Sequence, residues 1–225
     1  MKDSDAKPLS NTQRAILELR DLIFSGDLPA GSDHLESELA ERLSMSRTPV
    51  REAALKLESQ GLLEMRARKG VRILPISAHD MDEIYDVLTE LESLAAEKAA
   101  QKGYSDAQLA HLADAITEMD QALAHEDLEA WAAADDIFHA ELVHLGGNSR
   151  VVSIVAMMAD QVRRARATTL FIRPFPTKSN ADHRVVFEAI RAGDAKTAHD
   201  RHRAHRQEAK QLIIGLLQKH RLSGL

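Results

Sequence analysis

The chain has 11 histidines, 35 aspartates and glutamates, and no cysteine. Thiolate metal sites, disulfides and cysteine nucleophiles are therefore excluded, and any metal must be held by imidazole and carboxylate. Asp135 and His139 stand four residues apart, so a helix would project both from one face. That face also carries Trp131, Phe138 and Leu142 and points inward. His183 belongs to the stripe of Val186, Phe187 and Ile190. Further on, Ala198, His202, His205, Ala209, Leu212 and Leu216 form one inward stripe, and its spacing does not choose between His202 and His205. One carboxylate and three imidazoles from three helices, aimed at one core, suit a divalent ion such as Zn²⁺, Ni²⁺ or Mn²⁺. The bland alternative is that each is a hydrogen-bonded core histidine, or that His199, His202 and His205 are mostly solvated.

A second chemistry lies near the start, in Ser46-Arg47-Thr48-Pro49-Val50-Arg51-Glu52-Ala53-Ala54-Leu55. Ser46 suits an N-cap, and Pro49 is tolerated in a first turn whose N–H groups lack intrahelical partners. Arg47 and Arg51 then fall one turn apart on one side, with Val50, Ala54, Leu55 and Leu57 behind them and Gly61 as a left-handed stop. Residues 35–43 read as a short helix before this one, with Ser44-Met45 as the turn. Helix, tight turn, and a helix with a basic N-terminal end is the helix-turn-helix arrangement, whose second helix enters the DNA major groove. Leu62–Met65 and Val71–Leu74 read as two strands joined by the basic loop Arg66-Ala67-Arg68-Lys69-Gly70, a wing. Asn11 to Phe24 reads as an amphipathic helix ahead of the pair.

These elements divide the chain. Pro75-Ile76-Ser77-Ala78 is the expected junction, giving a DNA-binding domain over 1–77 and a second domain over 78–225. Residues 1–8 read as a disordered lead. The net charge of −6 looks wrong for a DNA binder until it is divided. Residues 1–77 hold 12 Lys and Arg against 12 Asp and Glu, so the remainder carries the whole excess. Between Arg47 and Arg72 there are seven basic and three acidic residues, which concentrates positive charge on the groove helix and wing. Beyond the junction only helical periodicity appears, in segments near 79–102, 105–125, 127–145, 149–172, 178–192 and 194–219. Short links between six helices imply an antiparallel bundle. The expected fold is mainly α, an N-terminal winged helix-turn-helix followed by a C-terminal six-helix bundle. No signal peptide or membrane-spanning run is visible, so a soluble, cytoplasmic protein is expected.

The run from Leu28 to Leu74 resembles the winged helix of the GntR family of bacterial transcription regulators. The words that carry it are Leu-Pro-Ala-Gly (28–31), Glu-Leu-Ala-Glu-Arg-Leu (38–43), Ser-Arg-Thr-Pro-Val-Arg-Glu-Ala (46–53) and Leu-Glu-Ser-Gln-Gly-Leu-Leu (57–63). The resemblance implies that Arg47 and Arg51 meet base edges or phosphates, Thr48 a phosphate, and Lys69-Gly70 the minor groove. Residues 80–215 resemble the FadR-type ligand-binding domain called FCD, in its shorter, VanR-like form, through Asp-Asp-Ile-Phe-His (135–139), Asp-His-Arg (182–184) and Ala-Ile-Arg-Ala-Gly-Asp (189–194). By that resemblance the metal ligands are Asp135, His139, His183 and His205, with His202 a near neighbour and Asp136 a decoy.

A metal with open positions could take the carboxylate of a small organic acid. Relatives place an arginine where Leu88 stands, so positive charge must come from elsewhere, and Arg164 is the inward candidate among Arg163, Arg164 and Arg166. The expected function is a ligand-responsive transcription regulator, not an enzyme. It would bind double-stranded operator DNA as a homodimer, because two half-sites need two groove helices. The alternative is a metal-dependent hydrolase fused to a DNA-binding module. It is disfavoured because His125-Glu126 lacks the second histidine of a His-Glu-x-x-His site and no Gly-x-Ser-x-Gly occurs.

Overall fold

The computed structural model describes residues 9–220, so the expected lead at 1–8 lies outside the described residues, as does the end of the second domain. Contacts divide the chain into two compact units, with the break between Pro75 and Ile76.

The first unit contains α1 (Asn11–Phe24), β1 (Asp33–His34), α2 (Glu36–Arg42), α3 (Arg47–Glu58), β2 (Leu63–Arg66) and β3 (Gly70–Ile73). A capping box between Ser10 and Gln13 starts α1, leaving Ala15, Leu19 and Ile23 to pack on Val50, Ala53, Ala54 and Leu57 of α3. Ser46 occupies the N-cap of α3 but its hydroxyl makes no capping bond. Leu55, expected on the apolar side of α3, is half exposed at 48%, and Ala53 takes that inward place. The helix ends at Glu58 with Ser59 as its C-cap, and Gly61, at φ +70°, turns the chain toward β2.

The sheet order is β1-β3-β2, all antiparallel. The wing hairpin was legible; the two-residue β1, pairing Asp33 with Arg72, was not. Arg66 pairs with Gly70 across a three-residue loop. Gly70 adopts φ +83°, and a Cβ there would fall 2.2 Å from the His34 carbonyl oxygen. Only glycine lets β3 approach β1 so closely while turning the wing.

The second unit holds α4 (Ala78–Gln101), α5 (Ala110–Ala124), α6 (Leu128–Gly146), α7 (Ser149–Thr169), α8 (Thr177–Ala192) and α9 (Ala195–Lys219). Side-chain caps fix most starts: Ser77 accepts from Asp80 N, Asp127 from Ala130 N, Asn148 from Arg150 N and Asp194 from Thr197 N. Gly147 and Gly193, both left-handed, end α6 and α8. Ser105 and Gln108 do bond each other, but they form a turn, and α5 begins five residues later than the expected 105. Similarly α7 stops at Thr169 rather than 172, which frees residues 170–176 as a connection.

One core gathers Leu112, Ile116 and Met119 of α5 with Trp131, Phe138 and Leu142 of α6 and Val186 and Ile190 of α8. A second joins Met81, Tyr85 and Leu88 of α4 to Val162 of α7 and to Ile213 and Leu217 of α9. The inward stripe of α9 therefore runs through Ile213 and Leu217 at its far end, while Leu212 is 37% exposed. Between these apolar clusters α4, α6, α8 and α9 turn polar groups toward one another.

Candidate metal centre and nucleic-acid interface

Asp135 and His139 sit one turn apart on the buried face of α6, His183 on α8, and His205 on α9. All four are buried. His183 Nε2 lies 3.2 Å from His205 Nε2 and 3.5 Å from Asp135 Oδ1, and His139 Nε2 lies 3.8 Å from Asp135 Oδ2. One ligand atom from each of the three histidines falls within 4.8 Å of the others. Four ligands at the usual Zn–N and Zn–O bond lengths would stand about 3.3 Å apart in a tetrahedron. The donor set and its spacing fit a divalent ion with little movement.

The protonation states fit as well. Burial holds the His183 imidazole well below its ordinary pKa, and the neighbouring histidines and Arg166 push the same way. Burial likewise takes His205 down to about 4, although Asp182 partly opposes it. Neutral imidazole is the ligand form, and these sites keep it near neutrality.

Two buried residues enlarge the centre. Glu92, on α4, faces His139 Nδ1 at 3.1 Å, Arg206 Nη2 at 3.3 Å and His202 Nε2 at 3.4 Å. Burial alone would raise its carboxyl, but Arg206 foremost, with His139 and His202, brings it down to about 2. A carboxylate on the far nitrogen of a ligating histidine fixes ring orientation and tautomer. Glu92, His139 and His202 also form a second possible ligand triad. His202 is thus buried beside the centre, with Glu92 rather than Asp135 as its acid.

Asp136, the expected decoy, is turned away toward Arg163 Nε at 3.2 Å and Arg166 Nη1 at 3.1 Å. Arg166 also pairs with Asp135. Arg164 is buried on α7, but it is not among the residues lining either cavity that reaches the centre. Arg166 and Arg206 line both of these cavities, and Arg173 lines one. Leu88 lines the second cavity, of about 300 Å³, beside Val143, Val155 and Val162.

In the first unit Arg47, Thr48 and Arg51 are exposed on α3, and Lys69 is exposed on the wing next to Gly70. Arg47, Arg51, Arg66, Arg68 and Gly70 line one polar concavity between α3 and the wing. Arg51 Nη1 donates to Glu36 Oε1 at 3.0 Å, while Arg66 and Arg72 both reach Asp33. Arg47, Arg68 and Lys69 are exposed and have no ion pair among the described residues.

A helix-turn-helix with a basic wing, followed by a helical unit enclosing a polar centre, is the arrangement of a DNA-binding regulator. The chain belongs to the GntR family of bacterial regulatory proteins, matching that family over residues 11–73 and the FCD domain over 83–208. It is 40% identical over 127 residues to an uncharacterized HTH-type transcriptional regulator of Agrobacterium vitis, covering 56% of this chain and 74% of that one. It is 29% identical over 200 residues to a probable D-xylose utilization operon transcriptional repressor of Paenarthrobacter nicotinovorans, covering 87% of each. The solved structure of E. coli McbR/YncC superposes with a TM-score of 0.77 at 21% identity, over 95% of this chain and all of that one. Both sequence relatives are described as transcriptional regulators, which sides against the hydrolase alternative. Among the described residues no helix is long and apolar enough to cross a membrane.

Proposed function

We propose that this transcription regulator binds a divalent metal through Asp135, His139, His183 and His205, and that a small organic acid acting at that centre sets its grip on operator DNA. The observation that carries the reading is the convergence of one nitrogen each from buried His139, His183 and His205 to within 4.8 Å of one another, with the Asp135 carboxylate beside His139 and His183. When bound, the ion would supply a Lewis-acid position for an acid's carboxylate. The chain's own part is to hold the ligands: Glu92 orients His139, and apolar cores flank the centre.

On the DNA side Arg51 and Arg47 read bases or phosphates from the start of α3, Thr48 holds a phosphate, and Lys69-Gly70 enter the minor groove. A homodimer places two such helices on two half-sites. Acid binding in the helical domain would change how the pair engages the operator, a coupling between two sites. That a relative is described as a repressor of D-xylose utilization suits an acid from sugar catabolism.

The test begins by recovering the genomic fragments that the protein retains at physiological salt and measuring affinity for the enriched sequence with metal and candidate acids. A chelator that leaves the melting temperature unchanged would refute the metal reading. Operator affinity indifferent to every acid, with metal bound, would refute the sensory one.

A further inference from the structure

We propose that the cavity beside the metal centre takes a diacid, with one oxyanion group at the centre and the second held by Arg173 and Tyr85. This rests on the metal-and-acid reading above and adds the second pole. The cavity, of about 280 Å³, has Asp135, His139 and His205 in its wall, and elsewhere Tyr85, Arg173 and Arg206. That volume is at the small end for metabolite sites.

Arg173 lies in the connection between α7 and α8, yet it is held firmly. Its guanidinium stands 4.9 Å over the Trp131 ring. Trp131 is pinned in turn, because its Nε1 donates to Asn180 Oδ1 at 2.6 Å and Asn180 Nδ2 donates to Asp120 Oδ1 at 3.0 Å. Stacking occupies the face of the guanidinium and leaves its N–H edge available. Arg173 Nε and Nη2 are buried and have no hydrogen-bond partner among the described residues. The same is true of Tyr85 Oη, on a wholly buried residue, and of Arg206 Nε.

Leaving a buried donor unpaired costs on the order of 1–3 kcal/mol, and here the residues that carry such donors, Tyr85, Arg173 and Arg206, all border one cavity. The other cations nearby are already engaged: Arg166 by Asp135 and Asp136, Lys178 by Asp182 and Glu208. The unmet demand is for an anionic acceptor beside Arg173, in a cavity whose wall also holds Asp135, His139 and His205. Pro174, Phe175 and Leu212 give the cavity an apolar rim, which strengthens such charge-assisted bonds by excluding water.

The experiment uses the full-length, Zn²⁺-loaded protein and titration calorimetry with succinate and tartrate against butyrate, which matches succinate in carbon number but has one carboxylate. We expect a diacid to bind at least tenfold tighter than butyrate. Arg173→Gln and Tyr85→Phe should each reduce that preference severalfold without changing Zn²⁺ affinity, and the conservative Tyr85→Phe guards against a folding defect. Equal binding of butyrate and the diacids, no binding of either diacid, or a preference that survives both substitutions overturns the proposal while leaving the metal reading intact. Failure of the wild-type protein to bind any of Zn²⁺, Ni²⁺ and Mn²⁺ overturns the metal reading and this inference with it.

Discussion

Replacing Glu92 with glutamine keeps the side chain's shape and removes one negative charge from a site where that charge has three neighbours. Glu92 is 3% exposed, and its carboxylate lies 3.1 Å from His139 Nδ1, 3.3 Å from Arg206 Nη2 and 3.4 Å from His202 Nε2. Two effects follow, and they can be separated. Removing the outer-shell carboxylate of a ligating histidine typically lowers metal affinity 10–100-fold, about 1.4–2.8 kcal/mol. Removing one partner of a buried ion pair costs roughly 3–5 kcal/mol, because Arg206, itself 3% exposed, is left uncompensated.

The second effect is the larger and does not need a metal. Thermal unfolding of Glu92→Gln should therefore drop by roughly 10 °C in chelator, at about 2–4 °C per kcal/mol for a domain of this size. It should also drop in saturating Zn²⁺. Competition titration with a chromophoric chelator should read the affinity loss independently, with Asp135→Asn run beside it as the direct-ligand control. Zn²⁺ affinity unchanged within threefold would refute the orienting role of Glu92. A loss as complete as that of Asp135→Asn would move the ion to the Glu92–His139–His202 triad instead.

Three further outcomes are expected. Arg51→Ala should cost about 1–3 kcal/mol of specific operator binding, the usual worth of a base-reading arginine; an unchanged ratio of specific to non-specific affinity in a filter-binding assay would count against it. Gly70→Ala should destabilise the first unit by about 1–3 kcal/mol, since it forces a φ of +83° on alanine and drives Cβ toward the His34 carbonyl, and urea unfolding of the full chain should show it. The metal-free protein should lose stability on acidification. His205 titrates near 4 when folded and near 6.5 in its ordinary state, so the unfolded chain takes up the proton first. The contribution is intact above about pH 6.5 and falls through that window, by on the order of 3 kcal/mol at its acid end. Buried His183 and His202 act in the same direction, and a flat urea midpoint between pH 7.5 and 4.5 in chelator would contradict all three.

How far the sequence revealed this centre depended on whether a residue lay in a regular periodicity with apolar neighbours. Asp135, His139 and His183 were legible as inward-facing residues because each shares a helical face with large apolar residues, and the structure buries those faces together. Both His202 and His205 are buried, so spacing alone had no reason to separate them; what separates them is the acid each one meets, which lies on another helix. The same helix misled at its far end, where Ile213 and Leu217 rather than Leu212 face inward.

Glu92 was overlooked because an acid among Glu90 and Glu97 resembles a solvated charge run. A signal was nevertheless present: Tyr85, Leu88, Glu92, Ala95 and Ala99 are spaced three, four, three and four apart, and all are buried. A charged residue in register with such a stripe must find counter-charge inside, and its partners, His139, His202 and Arg206, are 47 to 114 positions away in the chain. Arg173 offered no comparable periodic signal. It stands in Phe-Ile-Arg-Pro-Phe-Pro, a non-helical connection, and its importance comes from Trp131 beneath it and from the donors that its stacking leaves unmet. A buried polar centre is thus half local and half distant: helical spacing identifies the face, but the identity of each partner is fixed only when the helices meet.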